Sequence, residues 1–122
     1  MPELAVNEVL HAPVRLNIMA ALASIGPGDR ISYTRLQEIL EVTSGNLTSH
    51  LRKLEEAGYI HQDKRFVKRA PVTEVRPSKR GLREFDTYIE QLRGFLDGID
   101  ESRTQATDYA HEATAGRVKT FV

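Results

Sequence analysis

VTSGNLTSHLRKLEEAGYI, residues 42–60, reads as a tight turn, an amphipathic helix and a glycine stop that runs into a strand. On a helix turning about 100° per residue, Leu47, Leu51 and Leu54 fall within one narrow stripe. Gly45, Asn46, Ser49 and Lys53 fall on the other side. The leucines read as core. The opposite face is small, amide, hydroxyl and cationic, which suits a helix lying against base edges and phosphates. Thr43 or Ser44 is placed to cap this helix and Gly58 to end it, so it is expected over residues 44–57.

Working outward, Pro13 sits at a first helical position, and Val14, Ile18, Leu22 and Ile25 follow at helical spacing until the turn Gly26-Pro27-Gly28-Asp29. Ahead of it, Leu4, Val6, Val9 and Leu10 suggest a short leading helix. Ile31 and Ser32 suit a very short strand. Thr34 followed by Gln37 resembles a capping box for a helix whose buried face is Leu36, Ile39 and Leu40, ending near Glu41.

Beyond Gly58 the period changes. Residues 59–63 and 72–76 read as two strands of a hairpin. Between them, residues 64–71 form a long basic tip in which Lys64, Arg65, Lys68 and Arg69 surround Phe66 and Val67. That apolar pair is expected to tuck the tip down, because exposed apolar pairs are usually buried somewhere. Ser78 is an N-cap candidate for a long final helix. There Leu82, Phe85, Ile89, Leu92, Leu96 and Ile99 recur at spacings of 3, 4, 3, 4, 3, a heptad seam widened by Tyr88 and Phe95. Such a face serves the intrachain core, a second copy of the chain, or both. The domain is expected over residues 1–99, with residues 78–99 as a dimerisation helix. Residues 100–122, mostly polar and small, are expected to be an extension or tail.

The chain's 122 residues suffice for one domain, and net charge is zero, with 17 Lys+Arg against 17 Asp+Glu. The charge is unevenly placed. Residues 1–43 carry −2, residues 44–83 carry +6 from ten basic and four acidic groups, and residues 84–122 carry −4. The basic block contains the decisive helix, and a localised patch matters more to a polyanionic partner than whole-chain charge. The absence of cysteine excludes disulfides and thiolate metal sites. His11, His50 and His61 have no metal-ligand spacing, and Asp108, His111 and Glu112 are the only local set on the last helix. No metal or cofactor is called for. No apolar run approaches a membrane span and no secretory leader is visible, so a cytoplasmic location is expected. A nucleophile–base constellation, a phosphate loop and a paired-carboxylate motif are all missing, and adjacent Glu55 and Glu56 splay apart on a helix. An enzyme is not expected.

With these pieces in order, the chain resembles the winged helix-turn-helix transcriptional regulators of prokaryotes, close to the ArsR and MarR groups, over about residues 8–97. The matching segments are HAPVRLNIMAAL (11–22), ISYTRLQEIL (31–40), SGNLTSHLRKLEEAGYI (44–60), KRFVKRAPVTEVRPS (64–78) and KRGLREF (79–85). Each alone is weak, and the combination is specific. The resemblance implies an α+β, mostly helical fold: a three-helix core, a two-stranded wing with a short extra strand, and a long C-terminal dimer helix. It implies DNA binding as a homodimer and carries over no ligand. Relatives that sense metals use cysteines near the second or third helix, which this chain lacks, or Asp/His sets on the last helix.

On this reading Asn46 and Ser49 are base readers, Lys53 reaches phosphate or guanine, and Gly45 admits close approach of the backbone. Ser44, Thr48 and His50 lie at the margin and hold phosphates or the turn, with His50 alternatively packing on the neighbouring helix. Ser32, Tyr33 and Thr34 offer contacts to the DNA backbone. Lys64, Arg65, Lys68 and Arg69 neutralise phosphates, one of them positioned for the minor groove. Leu82, Phe85, Ile89, Leu92, Leu96 and Ile99 form the dimer interface. A groove between the first helix and the dimer helix is a place where a small apolar effector of unknown identity could bind, and nothing in the sequence demands one. The competing reading is a winged-helix module for protein–protein contact without specific DNA binding, for which the basic tip has no evident purpose.

Overall fold

A computed structural model describes residues 3, 4 and 6–113, with side chains through residue 106. The element order is α1 (Pro13–Ile25), β1 (Ile31–Ser32), α2 (Tyr33–Leu40), α3 (Ser44–Glu56), β2 (Ile60–Val67), β3 (Ala70–Pro77) and α4 (Lys79–Ala113). The strands form an antiparallel sheet in the order β1-β3-β2, with Ile31 opposite Val75 and Gln62 opposite Val75 on the other side. This is a winged helix: α1, α2 and α3 form the helical core, β2 and β3 the wing, and α4 the long C-terminal helix. Residues 6–89 make one unit, and a second begins at Glu90 and follows α4.

The core of the first unit is one cluster. Ile18, Met19 and Leu22 of α1, Leu36 of α2, and Leu47, Leu51 and Leu54 of α3 have no exposed surface, and they meet Ile60, Val75 and Tyr88. Each such leucine contributes roughly 1.5–3 kcal/mol by leaving water.

Local polar chemistry places the helix ends. The Ser32 hydroxyl accepts from the Arg35 amide at 3.1 Å and caps α2. Ser32, rather than Thr34, is therefore the cap, because α2 starts two residues earlier than a Thr34–Gln37 box requires. Gln37 instead donates through Nε2 to the Val42 carbonyl, holding the turn between α2 and α3. Glu41 closes α2 in a left-handed conformation (φ 53°). The Thr43 hydroxyl accepts from the Asn46 amide and caps α3.

The expected leading helix is a turn. Asn7 Oδ1 accepts from the amides of Val9 and Leu10, which competes with helical pairing, and Asn7 Nδ2 donates to the Tyr59 hydroxyl. Leu10 is still fully buried. The hairpin also differs from expectation. Its strands run to Val67 and from Ala70, so the loop is only Lys68-Arg69, both at positive φ (50° and 69°). That is the signature of a type I′ turn, normally built from Asn-Gly. Two L-residues there cost about 1–2 kcal/mol each, and nothing in the sequence announces it. Phe66 is not tucked down: it is 77% exposed. Its pairing with Pro71 holds it on a ladder that extends beyond the core.

α4 is anchored where three segments meet. The Ser78 hydroxyl donates to the Gly58 carbonyl at 2.6 Å and accepts from the Gly81 amide at 2.9 Å, while the Ser78 amide donates to the Tyr59 carbonyl. Gly58, at φ 79°, makes the α3 exit possible. Gly81 lies against the Tyr59 backbone, and a Cβ there would stand 2.0 Å from the Tyr59 oxygen. In the first unit, α4 buries Tyr88, whose hydroxyl hydrogen-bonds His11 Nδ1. Phe85 packs partly against the core. Leu82, Ile89, Leu92, Phe95 and Ile99 are half-buried, and Leu96 is 51% exposed. Within the first unit the core takes up Tyr88 and packs against Phe85, and leaves Leu82 and Ile89 half-buried.

Gly81→Ala should therefore cost about 1–3 kcal/mol or more, since rigid backbone is in the way. Gly94→Ala on the same helix, where a Cβ meets nothing, should stabilise by roughly 0.5–1 kcal/mol. Urea denaturation of both variants checks the pair, and equal effects would show that the Tyr59 contact is not limiting.

Candidate nucleic-acid interface

Burial of Leu47, Leu51 and Leu54 turns the other side of α3 outward. Gly45, Asn46, Thr48 and Lys53 are exposed and Ser49 is half-exposed. A Cβ at Gly45 would meet no atom of the chain, so internal packing does not require glycine there. Asn46 uses only its backbone amide in the cap, which leaves its side-chain amide free of hydrogen-bond partners among the described residues.

The flanking residues have internal duties. The Tyr33 hydroxyl donates to the Ser44 carbonyl at 2.7 Å and lies 2.9 Å from Ser44 Oγ and 2.8 Å from Thr48 Oγ1. This clamp ties the start of α2 to the first turn of α3. Tyr33, Ser44 and Thr48 thus orient the helix, and Ser32 is occupied as a cap. Thr34 is exposed beside them.

His50 points the other way, onto α1. Its Nδ1 lies 3.0 Å from Arg15 Nη1. Because arginine only donates, Nδ1 is the acceptor and the proton sits on Nε2. Arg15 is in turn held by the carbonyls of Val9 and Glu8. Burial, then the charges of Arg15 and Lys53, lower the pKa of the imidazole from 6.5. Of the two roles expected for His50, packing on the neighbouring helix is the one its contacts describe.

The wing is braced at its root. Asp63 and Glu74 face each other across the strands, a repulsive pair relieved by arginines. Arg76 Nε donates to Asp63 at 2.8 Å, and Arg30 lies 3.9 Å from Asp63 and 3.7 Å from Glu74. Arg65 Nη2 donates to Glu74 Oε2 at 3.2 Å, while its Nε lies 2.6 Å from Oε1 as an ion pair without hydrogen-bond alignment. The hydrogen bond from Arg76 chiefly lowers the Asp63 pKa. Glu55 joins α3 to the wing, its two oxygens accepting from the Gln62 backbone amide and side chain. Of the four expected wing cations, Arg65 is engaged by Glu74. Lys64, Lys68 and Arg69 are exposed and make no ion pair among the described residues. Sequence reasoning missed Arg15, Arg30 and Glu55. Their roles arise from partners 35, 44 and 7 residues away, respectively, and the first two have no local signal.

An open cavity of about 350 Å³ lies between the N-terminal segment, α1 and the end of α3, lined by Glu8, Val9, Arg15, Lys53, Glu56 and Ala57. Two cations and two carboxylates are among its lining residues. Among the described residues, no group of three His, Asp or Glu gathers as for a metal, and no helix is long and apolar enough to cross a membrane. The side chains of Asp108, His111 and Glu112 lie outside the described residues.

A helix with a leucine-buried back and an open polar front, beside a braced basic hairpin, is the architecture of a nucleic-acid-binding winged helix. The chain belongs to the winged helix DNA-binding domain family, whose model matches residues 14–96. It is 31% identical over 93 residues to an uncharacterised protein of Methanocaldococcus jannaschii, covering 76% of this chain and 98% of that one. The transcriptional regulator homologue from Pyrococcus horikoshii superposes with a TM-score of 0.70 at 33% identity, over 77% of this chain and 90% of that chain. The Lactococcus lactis regulator ZitR, a zinc-responsive MarR family member solved also in complex with DNA, has the same fold. Its DNA complex superposes with a TM-score of 0.55 at 16% identity, over 93% of this chain and 76% of that one. Family and fold are those of transcriptional regulators, not of an enzyme.

The lowered His50 pKa has a signed consequence. An unfolded chain takes up this proton near pH 6.5 and the folded chain only at lower pH. The His50 contribution is present above pH 6.5 and is lost as pH falls below it. Asp63, also lowered, loses its contribution only below about 3.8, so the two windows separate. Stability measured by denaturant between pH 7 and 5 should fall less in His50→Gln, a neutral acceptor for Arg15, than in the parent chain. Parallel curves would remove His50 from the account.

Proposed function

We propose that the protein is a sequence-specific regulator of transcription that binds double-stranded DNA as a homodimer in the cytoplasm. The observation that carries this reading is the outward face of α3, where Gly45, Asn46, Ser49 and Lys53 are turned away from three fully buried leucines. In the major groove, Asn46 makes a bidentate pair with adenine, Ser49 reads a neighbouring base edge, and Lys53 takes phosphate or guanine. Gly45 lets the helix approach closely. Thr34 and the α2 start lie along the DNA backbone, with Tyr33, Ser44 and Thr48 fixing the angle of approach. Lys64, Lys68 and Arg69 neutralise phosphate beside the groove, and Arg65 contributes less because Glu74 holds it.

The uncovered part of the α4 seam supports the homodimer. Leu92, Leu96 and Ile99 continue the heptad beyond Leu82, Phe85 and Ile89, and Leu96 is more than half exposed in the single chain. Two copies joined along that seam present two α3 helices to major grooves about one turn, roughly 34–36 Å, apart.

Fluorescence anisotropy against selected genomic duplexes over a salt series tests this. Alanine at Lys64, Lys68 or Arg69 should each flatten the slope of log affinity against log salt by roughly one, with a smaller change for Arg65→Ala. Asn46→Ala should cost roughly 1–3 kcal/mol of discrimination at one base pair. Equal weakening on all duplexes would refute base readout. Absence of binding at low salt would turn the reading to a protein-contact module.

Sedimentation equilibrium tests the dimer. Leu96→Glu should keep the helical circular-dichroism signal and convert a dimer to monomers. A parent chain already monomeric at micromolar concentration would dispose of the seam as an interface.

A further inference from the structure

The tip of the wing combines three features that packing within the chain does not explain. Phe66 is 77% exposed, the largest exposure among the exposed large hydrophobic residues of the described part of the chain. Register places it directly opposite Pro71, also exposed, so an apolar pair crosses the hairpin one pair before the turn pair Val67–Ala70. The turn itself puts two cations, Lys68 and Arg69, into left-handed backbone where glycine or asparagine is the ordinary occupant. An uncovered aromatic on a strained, cationic turn calls for a partner outside the chain.

The charges around Phe66 select that partner. Lys64 lies two residues back on the same face, and Lys68 and Arg69 lie at the turn. None of the three has an ion-pair partner among the described residues. Arg65, whose side chain belongs to the other face, is turned away to Glu74. The apolar pair is thus set in a collar of free positive charge, which suits a polyanion with apolar surface between its charges. A duplex groove has that chemistry, with phosphate along both edges and stacked bases between them. The hairpin is also braced at its root. Glu55 pins its root to α3, and the Arg30, Arg65 and Arg76 contacts to Asp63 and Glu74 brace it. From Gln62, the point pinned to α3, to Phe66 the strand reaches about 13 Å at roughly 3.3 Å per residue.

We propose that the wing tip is a wedge: Phe66, backed by Pro71, enters the minor groove and partly unstacks one base step, while Lys68 and Arg69 hold the flanking phosphates. Proteins that insert an apolar side chain in this way kink the duplex, most easily at pyrimidine–purine steps. The wedge adds to regulation a sequence preference at a step that α3 never touches. This inference rests on the DNA-binding reading above.

The test uses the full chain and duplexes recovered by genomic selection. These carry end labels for energy-transfer measurement of bending and single 2-aminopurine substitutions at steps flanking the major-groove site. The parent chain should bend the duplex and raise 2-aminopurine fluorescence at one step. Phe66→Ala removes an exposed side chain, so its melting temperature should stay unchanged. It should lose the fluorescence rise and most of the bend, and weaken binding roughly 5- to 100-fold. Its salt slope should match the parent's, because no charge is removed. Phe66→Leu, a smaller wedge, should recover part of the bend. If Phe66→Ala binds, bends and unstacks as the parent does, the wedge is overturned, the DNA-binding reading stands, and the aromatic is assigned to a protein contact. A parent chain that fails to bind any duplex at low salt overturns both.

Discussion

Three leucines on α3, spaced four and three residues apart and wholly without exposed surface, set the rotation of that helix about its axis. Replacing any of them by a smaller side chain would leave a cavity worth roughly 2–5 kcal/mol, so the helix has no cheap alternative orientation. Once Leu47, Leu51 and Leu54 face inward, Gly45, Asn46, Ser49 and Lys53 have only solvent or a partner to face. The polar front of the helix is a geometric consequence of the apolar back.

Everything around α3 serves to hold it still. The Tyr33 hydroxyl gathers Ser44 and Thr48 at its first turn, Arg15 reaches His50 at its middle, and Glu55 fastens its last turn to the edge strand at Gln62. The Glu55 contact also satisfies a backbone amide on the sheet edge, which otherwise invites pairing with another chain. None of these exposed or half-buried contacts is strong alone, since hydrogen bonds of this kind contribute about 0.5–1.5 kcal/mol. Together they hold the outward face of α3 in one orientation against the rest of the domain.

The wing shows how charge can be divided between structure and recognition. Three arginines and lysines occupy the two strands (Lys64, Arg65 and Arg76), two form the turn (Lys68 and Arg69), and Arg30 lies beside them on the loop before β1. Arg30, Arg65 and Arg76 neutralise the facing carboxylates of Asp63 and Glu74, while Lys64, Lys68 and Arg69 have no such duty. Counting positive charges in the chain therefore overstates what is free to meet a phosphate, and only the cross-strand register separates the two groups.

The order of elements, the rotation of α3, the basic character of the wing and the seam on α4 were all legible in the sequence. Each is a periodic or local pattern: leucine spacing, capping hydroxyls, β-branched alternation, a heptad. What only the tertiary structure decided depends on contacts between residues distant in the chain. Thr34 yielded its capping role to Ser32 because α2 begins where β1 ends. The leading segment became a turn because Asn7 holds the amides of Val9 and Leu10 and reaches Tyr59. The long basic tip became a two-residue turn without glycine because the ladder from Ile60 to Pro77 closes on Lys68 and Arg69 regardless of their preference. Sequence patterns record which face of an element is apolar. They do not record which distant backbone or carboxylate each polar side chain will find, and that assignment decided which side chains brace α3 and the wing and which are left without internal partners.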